Sequence, residues 1–286
     1  YYFNTNNFSR CSPQCKYCTS LGDNLDHKCL ECNSTYYNLE DKSNMCYLNT
    51  ENVPNYYFDT TSNLFKRCYM SCSTCLYSGT IDNQNCITCK DNYFNLIDNN
   101  SLCFEYNDQH VINMGYYYDS SNNIFRKCYS SCATCIKGGD IVNHNCDTCK
   151  TSYYPLSDLN SNCYTSSSIV DNYFLDTNIF SKCLPQCKYC ITFGNDQNHQ
   201  CIECNSGYYT LENNTTMCYV QTANIDYYYF DSVENLFKSC YTSCFTCSNQ
   251  GDGLNNNCLK CKSGYYSYIN DNTRCYSSCN DNYYID

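Results

Sequence analysis

The chain has 286 residues, 31 of them cysteine and none tryptophan, and carries a net charge of -11. That acidity, with no basic run, disfavours nucleic acid and an anionic membrane surface as partners, and no apolar stretch approaches the roughly 18 residues of a membrane span. Mean hydropathy is -0.60 and aliphatic residues are sparse, so no window supplies the surface of one large core. The cysteine load marks a disulfide scaffold, and paired cysteines on this scale persist outside the cell or within the secretory pathway.

In chain order, the first six cysteines run C-x3-C-x2-C-x10-C-x2-C-x13-C from Cys11 to Cys46. The same block restarts without insertion at Cys68, Cys128, Cys183 and Cys240, in steps of 57, 60, 55 and 57, and leaves only Cys279 outside it. All length variation falls in the spacers between blocks, the shortest from Cys163 to Cys183 and the longest from Cys103 to Cys128. This predicts five repeats at 1–55, 56–115, 116–172, 173–227 and 228–282, with 283–286 opening a sixth unit that is cut off. The chain reads as an internal section of a longer secreted or surface protein.

Each spacer ends in an aromatic cluster and a polar turn, as in YYFDTTSNLFKRC at 56–68 and YYYDSSNNIFRKC at 116–128. Such runs predict short β-hairpins. Phe8, Phe65, Phe125, Phe180 and Phe237 each stand three residues before a first cysteine and are expected to pack on the disulfides below them. A second hairpin follows each fifth cysteine and carries the pairs Tyr36/Tyr37, Tyr93/Phe94, Tyr153/Tyr154, Tyr208/Tyr209 and Tyr265/Tyr266. Strand alternation would turn one ring of each pair inward and the other outward. No window holds a helical period beyond a turn or two. The fold class is therefore small, disulfide-rich β-hairpin repeats with almost no helix, arranged as an extended rod or solenoid.

The block resembles the furin-like cysteine-rich repeat of growth-factor-receptor ectodomains and protozoan surface proteins, in residues such as CYSSCATC at 128–135 and CDTCKTSYYPL at 146–156. The spacing alone leaves 15 connectivities open for six cysteines. The resemblance implies first-to-third, second-to-fourth and fifth-to-sixth pairing. That gives Cys11–Cys18, Cys15–Cys29 and Cys32–Cys46, then Cys68–Cys75, Cys72–Cys86 and Cys89–Cys103, then Cys128–Cys135, Cys132–Cys146 and Cys149–Cys163. It continues with Cys183–Cys190, Cys187–Cys201 and Cys204–Cys218, and Cys240–Cys247, Cys244–Cys258 and Cys261–Cys275. Each longer loop would contribute on the order of 3 kcal/mol by chain entropy. Cys279 stands unpaired within the segment, in the place of a seventh cysteine whose partner lies further on; a free thiol or an interchain bridge is the other reading.

Cys15-x2-Cys18-x10-Cys29-x2-Cys32 also matches a four-thiolate zinc knuckle, although that site leaves two cysteines of every block unused. His27, His144 and His199 each lie two residues before a fourth cysteine, where Gln84 and Asn256 stand in the other copies, and read as solvated loop tips. The acidic, Asn-rich loops lack the calcium-loop frame. No nucleophile elbow, phosphate loop or zinc-protease motif occurs, so neither an enzyme nor a cofactor is expected. Asn7, Asn33, Asn99, Asn213 and Asn214 are candidate N-glycosylation acceptors. The 34 tyrosines either fill thin, half-wet cores or form contacts between copies.

The first functional reading is thus a structural extracellular protein, a stapled section of a filament or cell-surface coat. Its partners would be copies of itself, joined head to tail or laterally, or other surface proteins. The second is a receptor or adhesion ectodomain with a ligand-binding stalk, for which HVINMG at 110–115 is the candidate apolar patch. The third is a zinc-knuckle array.

Overall fold

The computed structural model describes residues 1–4 and 7–278. Cys279 and the start of the sixth unit lie outside the described residues. The chain divides into two compact units, Tyr1–Thr151 and Ser152–Asp286. Both are built almost wholly of short antiparallel strands.

Two kinds of sheet alternate along the sequence. The first is a two-stranded hairpin made by the C-x2-C segments, such as Cys72–Cys75 with Cys86–Cys89. A regular strand sends residues three apart to opposite faces. Here the register shifts between Cys86 and Thr88 and again between Thr88 and Cys89, and both cysteines of the Cys72–Cys75 strand are buried. The bulges re-aim the strand so that its sulfurs share one face. The same irregular pairing occurs in every copy.

The second is a four-stranded sheet that joins one cysteine block to the next spacer. In unit 1 the hairpin Tyr36–Leu39/Lys42–Leu48 meets the hairpin Tyr56–Asp59/Leu64–Arg67. The contact is a single parallel step, Leu39 beside Phe65, where the Glu40 amide donates to the Phe65 carbonyl at 2.8 Å. Leu96 beside Phe125 repeats it, as does Leu211 beside Phe237 within unit 2. The remaining unit 2 junction is shorter and keeps one bridge, Leu156 to Phe180, with the Ser157 amide on the Phe180 carbonyl.

Turn chemistry shapes the spacer hairpins. Asp59 Oδ1 accepts the Thr61 amide, and Asn63 takes a positive φ that reverses the chain. Asp119 with Asn123 and Asp231 with Asn235 do the same. Nine of the fourteen non-glycine residues with positive φ among the described ones are asparagine. Asparagine tolerates that left-handed region best among non-glycine residues, which accounts for part of its abundance here.

Each junction has its own apolar core. Leu39, Met45, Val53 and Phe65 form one, and Leu96, Leu102, Phe104, Val111, Tyr116 and Phe125 form the next. The phenylalanines before the first cysteines therefore do not pack on the disulfides below them. Phe65, Phe125 and Phe237 are buried in the junction cores, because strand pairing turns them toward the preceding repeat's leucine. Phe8 is exposed and meets Phe3 across its own hairpin.

The aromatic pairs also depart from the inward/outward expectation. Tyr36 packs on the cystines of its block while Tyr37 packs on the junction core. Tyr93 and Phe94 divide in the same way, as do Tyr208 and Tyr209. These three strands are thus clamped between two small cores, with both rings half-buried, whereas in the last repeat Tyr265 packs on its cystines and Tyr266 is exposed, as alternation predicts.

The longest spacer, between Cys103 and Cys128, accommodates the single helix of the described residues, Gln109–Asn113. Asp108 caps it, accepting the His110 amide at 2.8 Å, and Val111 is fully buried in the junction core. Within HVINMG, Val111 is therefore packed into the core, while Met114 beyond the helix stays exposed. Phe125→Ala should lower unfolding free energy by ~3–5 kcal/mol, read as a fall in the urea midpoint of the unreduced protein, whereas a loss below ~1 kcal/mol would show that this ring does not hold the junction.

Candidate functional site

The most elaborate side-chain arrangement in the chain is the cystine core of each block. Its disulfides run first to third, Cys11–Cys18, Cys68–Cys75, Cys128–Cys135, Cys183–Cys190 and Cys240–Cys247. They run second to fourth, Cys15–Cys29, Cys72–Cys86, Cys132–Cys146, Cys187–Cys201 and Cys244–Cys258. Fifth-to-sixth bridges are Cys32–Cys46, Cys89–Cys103, Cys204–Cys218 and Cys261–Cys275, and Cys149 and Cys163 are both disulfide-bonded. With every described cysteine oxidised, the four-thiolate zinc reading has no thiolates to stand on. Its Cys15 and Cys29 are bound to each other.

A buried polar residue seals each core, and it occupies the position read above as a solvated loop tip. His27, Gln84, His144, His199 and Asn256 are all buried, none more than 5% exposed. The burial has a clear local cause. The residue that follows each of them, Lys28, Asn85, Asn145, Gln200 or Asn257, has positive φ and turns the chain so that the preceding side chain enters the core.

The plug also depends on a glycine four residues after each third cysteine. A Cβ on Gly22, Gly79, Gly139, Gly194 or Gly251 would stand 1.9–2.4 Å from the plug residue's carbonyl oxygen. Only a residue without a side chain allows that approach. Half of the chain's ten glycines serve this one contact.

Inside the cores of repeats 1, 2, 4 and 5 the plug accepts a hydrogen bond from the amide of the sixth cysteine. The Cys46 amide donates to His27 Nδ1 at 3.0 Å and the Cys218 amide to His199 Nδ1 at 3.0 Å. The Cys103 amide donates to Gln84 Oε1 at 2.6 Å and the Cys275 amide to Asn256 Oδ1 at 2.9 Å. Serine hydroxyls add a second bond in three copies, Ser71 to Gln84, Ser131 with His144 and Ser243 to Asn256. Repeats 1 and 4 lack that serine; there the His27 and His199 amides approach the sulfurs of Met45 and Met217 at 3.4 and 3.3 Å. Tyr47 and Tyr219 stand 5.0 Å from the two histidine rings.

Repeats 1 and 4 are thus one variety, sharing P-Q-C-K-Y-C, the histidine and the methionine. The step from Cys11 to Cys183 equals that from Cys68 to Cys240, so a longer period of three repeats overlies the single one. Fixed-offset glycines and this longer period were the signals in the sequence that mark the plug.

A second polar cluster closes each junction on its outer side. Tyr56 donates to Asp41, which also accepts from Arg67; Tyr116, Asp98 and Lys127 repeat the set, and so do Tyr173, Asp158 and Lys182. Burial and the Asp158 acceptor push the Tyr173 phenol up to about 12. In the fourth junction Asn213 and Ser239 replace the charged pair, joined Nδ2 to Oγ at 3.0 Å. The five candidate glycosylation asparagines are all exposed.

No family model and no solved structure matches the chain. Among curated proteins, proprotein convertase subtilisin/kexin type 5 of Mus musculus is 30% identical over 279 residues, covering 96% of this chain and 13% of that protein. Cysteine repeat modular protein 2 of Tetrahymena thermophila is 29% identical over 238 residues, 77% of this chain and 12% of that protein. Major surface-labeled trophozoite antigen 417 of Giardia intestinalis is 26% identical over 277 residues, 92% of this chain and 30% of that protein. The chain thus spans less than a third of the length of each. The match to the convertase falls in its cysteine-rich region and not in its protease domain. The chain belongs to the furin-like cysteine-rich repeat proteins, and its place is extracellular or at the cell surface.

Protonation tests the plug. Burial holds His27 and His199 below the ordinary histidine range, against the opposing pull of Glu51, Asp26 and Asp23 on the first and Asp196 on the second. The unfolded chain then takes up its protons at higher pH than the native one. The stability these plugs supply is complete above about pH 6.5 and lost as pH falls through the lowered native values. Hydrogen exchange at about pH 7.5 and about pH 5 should show protection of the Cys46 and Cys218 amides falling relative to those of Cys103 and Cys275, whose plugs do not titrate. Equal behaviour of all four amides would refute the assignment.

Proposed function

We propose that this chain is a non-catalytic section of an extracellular repeat protein that builds a filament or a cell-surface coat. The observation that carries this reading is a recurring apolar position on the outer face of the cystine hairpins. Leu30, Ile87, Ile202 and Leu259 each follow a fourth cysteine, and all four are more than half exposed. An exposed aliphatic side chain at one fixed place in four repeats is suited to lateral contact between copies.

The tyrosines support the reading less than expected. Most are half-buried between the two kinds of core, leaving few as outward rings. Contact would rest instead on these aliphatic positions, together with exposed tyrosines such as Tyr17 and Tyr77. Partners are copies of the same chain, or other surface proteins presenting matching apolar positions. The ectodomain alternative loses the centre of its candidate patch, since Val111 is folded into a junction core. The surface-antigen relative is in keeping with a coat.

Negative-stain electron microscopy of unreduced protein from its native source should show long fibres or sheets with a regular axial repeat. Replacing Leu30, Ile87, Ile202 and Leu259 together by serine should abolish the assemblies while leaving the disulfides and circular dichroism unchanged. Separate particles at every concentration would overturn self-assembly and turn the search to a surface partner.

A further inference from the structure

Five asparagines precede x-Ser or x-Thr, and for four of them, Asn33, Asn99, Asn213 and Asn214, the repeats distinguish a structural role from none. An N-linked glycan stands on the amide nitrogen Nδ2, so what that nitrogen does in the folded chain decides whether the fold can accommodate one.

Asn33 follows a fifth cysteine and donates its Nδ2 to the Pro13 carbonyl at 3.2 Å, pinning the loop between the first two cysteines. Asn205 makes the same bond to Pro185 at 3.0 Å, although Asn205-Ser206-Gly207 is not an acceptor sequence. Lys90 and Lys150 do the same with Nζ, to the Met70 and Ser130 carbonyls. The position needs a donor, and asparagine there is explained without a sugar. Asn213 likewise stands where Asp41, Asp98 and Asp158 close the other junctions, and its Nδ2 is bonded to Ser239.

Asn99 and Asn214 differ. Both lie four residues before a sixth cysteine, at the exposed tip of the second hairpin. Asn99 Oδ1 accepts the Ser101 amide at 3.1 Å and its hydroxyl at 2.7 Å, and Asn214 Oδ1 accepts the Thr216 amide at 3.2 Å and its hydroxyl at 2.7 Å. Asp271, in the same place in repeat 5, makes the same two bonds with a carboxylate oxygen. The turn therefore requires only the oxygen. The amide nitrogen is a surplus group, with no hydrogen bond among the described residues, at a tip open to solvent.

We propose that Asn99 and Asn214 carry N-linked glycans and that Asn33 and Asn213 do not. The sugar comes from an oligosaccharide on a polyprenyl diphosphate in the secretory pathway. The anomeric carbon's bond to the diphosphate oxygen breaks, its bond to Nδ2 forms, one amide proton is released, and the polyprenyl diphosphate leaves with the bonding electrons. A glycan at either tip disturbs no contact of the folded repeat. At Asn33 or Asn213 it would crowd the Pro13 loop or the fourth junction.

The assignment is tested on the full chain secreted by a eukaryotic cell. Glycans are released enzymatically in water labelled with oxygen-18, which converts each glycosylated asparagine to labelled aspartate, and the peptides are mapped by mass spectrometry. Label is expected at 99 and 214 in most molecules and not at 33 or 213. Absence of label at 99 and 214, or label at 33 or 213, overturns the proposal. Because the Asn213 and Asn214 sequences overlap, Thr216→Ala removes only the second. It should free that peptide of sugar, and a retained glycan would place it on Asn213 instead. The map is read on secreted protein whether or not fibres form, so its outcome is separate from that of the assembly reading.

Discussion

The structure depends on two overlapping covalent loops that share one small hairpin. The first-to-third and second-to-fourth disulfides both close on the C-x2-C segments, at Cα separations of 4.9–5.8 Å, within the ordinary range for unforced bridges. With the sulfurs on one face, a core forms from cystines and a few rings, which no sequence this poor in aliphatic residues could otherwise assemble. The polar plug follows from the same constraint. Six cysteines and a tyrosine leave the sixth cysteine's amide inside the core, and an unpaired buried amide is costly. A histidine, glutamine or asparagine acceptor answers it. Three chemistries satisfy one geometric need.

Tyrosine suits the space between such cores. The second hairpins of repeats 1, 2 and 4 lie between a cystine cluster on one side and an aliphatic junction on the other, both too small to bury a ring completely. A ring that packs by its body and keeps its hydroxyl wet fits both sides. Where the hydroxyl meets Asp41, Asp98 or Asp158 it also fastens consecutive repeats. The abundance of this residue is thus largely a property of the fold.

The block, the hairpins and the near absence of helix were legible in the sequence, because cysteine spacing and turn residues are local signals. Disulfide connectivity was not, since spacing alone permits fifteen solutions. The plug was missed because a lone polar residue in an Asn-rich loop looks solvated; its burial depends on a positive-φ residue after it and a glycine five residues before it. The phenylalanines were placed on the wrong core because nearness in sequence to a cysteine says nothing about which face a strand presents. Their true partner is a leucine of the preceding repeat, far upstream across a whole hairpin and spacer, as with Leu39 and Phe65 or Leu96 and Phe125.

The single parallel step at each junction has a mechanical meaning. Under tension along the chain, closed disulfide loops cannot lengthen, and the hairpin at 36–48 is shut at its base by Cys32–Cys46. Only the spacers between blocks can be drawn out, each once its sheet parts at the leucine–phenylalanine step and its own hairpin unzips. A spacer of this kind can extend to roughly 70 Å. Each repeat is therefore an inextensible knot in series with a short tether, and the intact knot at either end keeps the released strands beside their old partners. Such a chain would yield stepwise and recover, absorbing load without breaking a covalent bond.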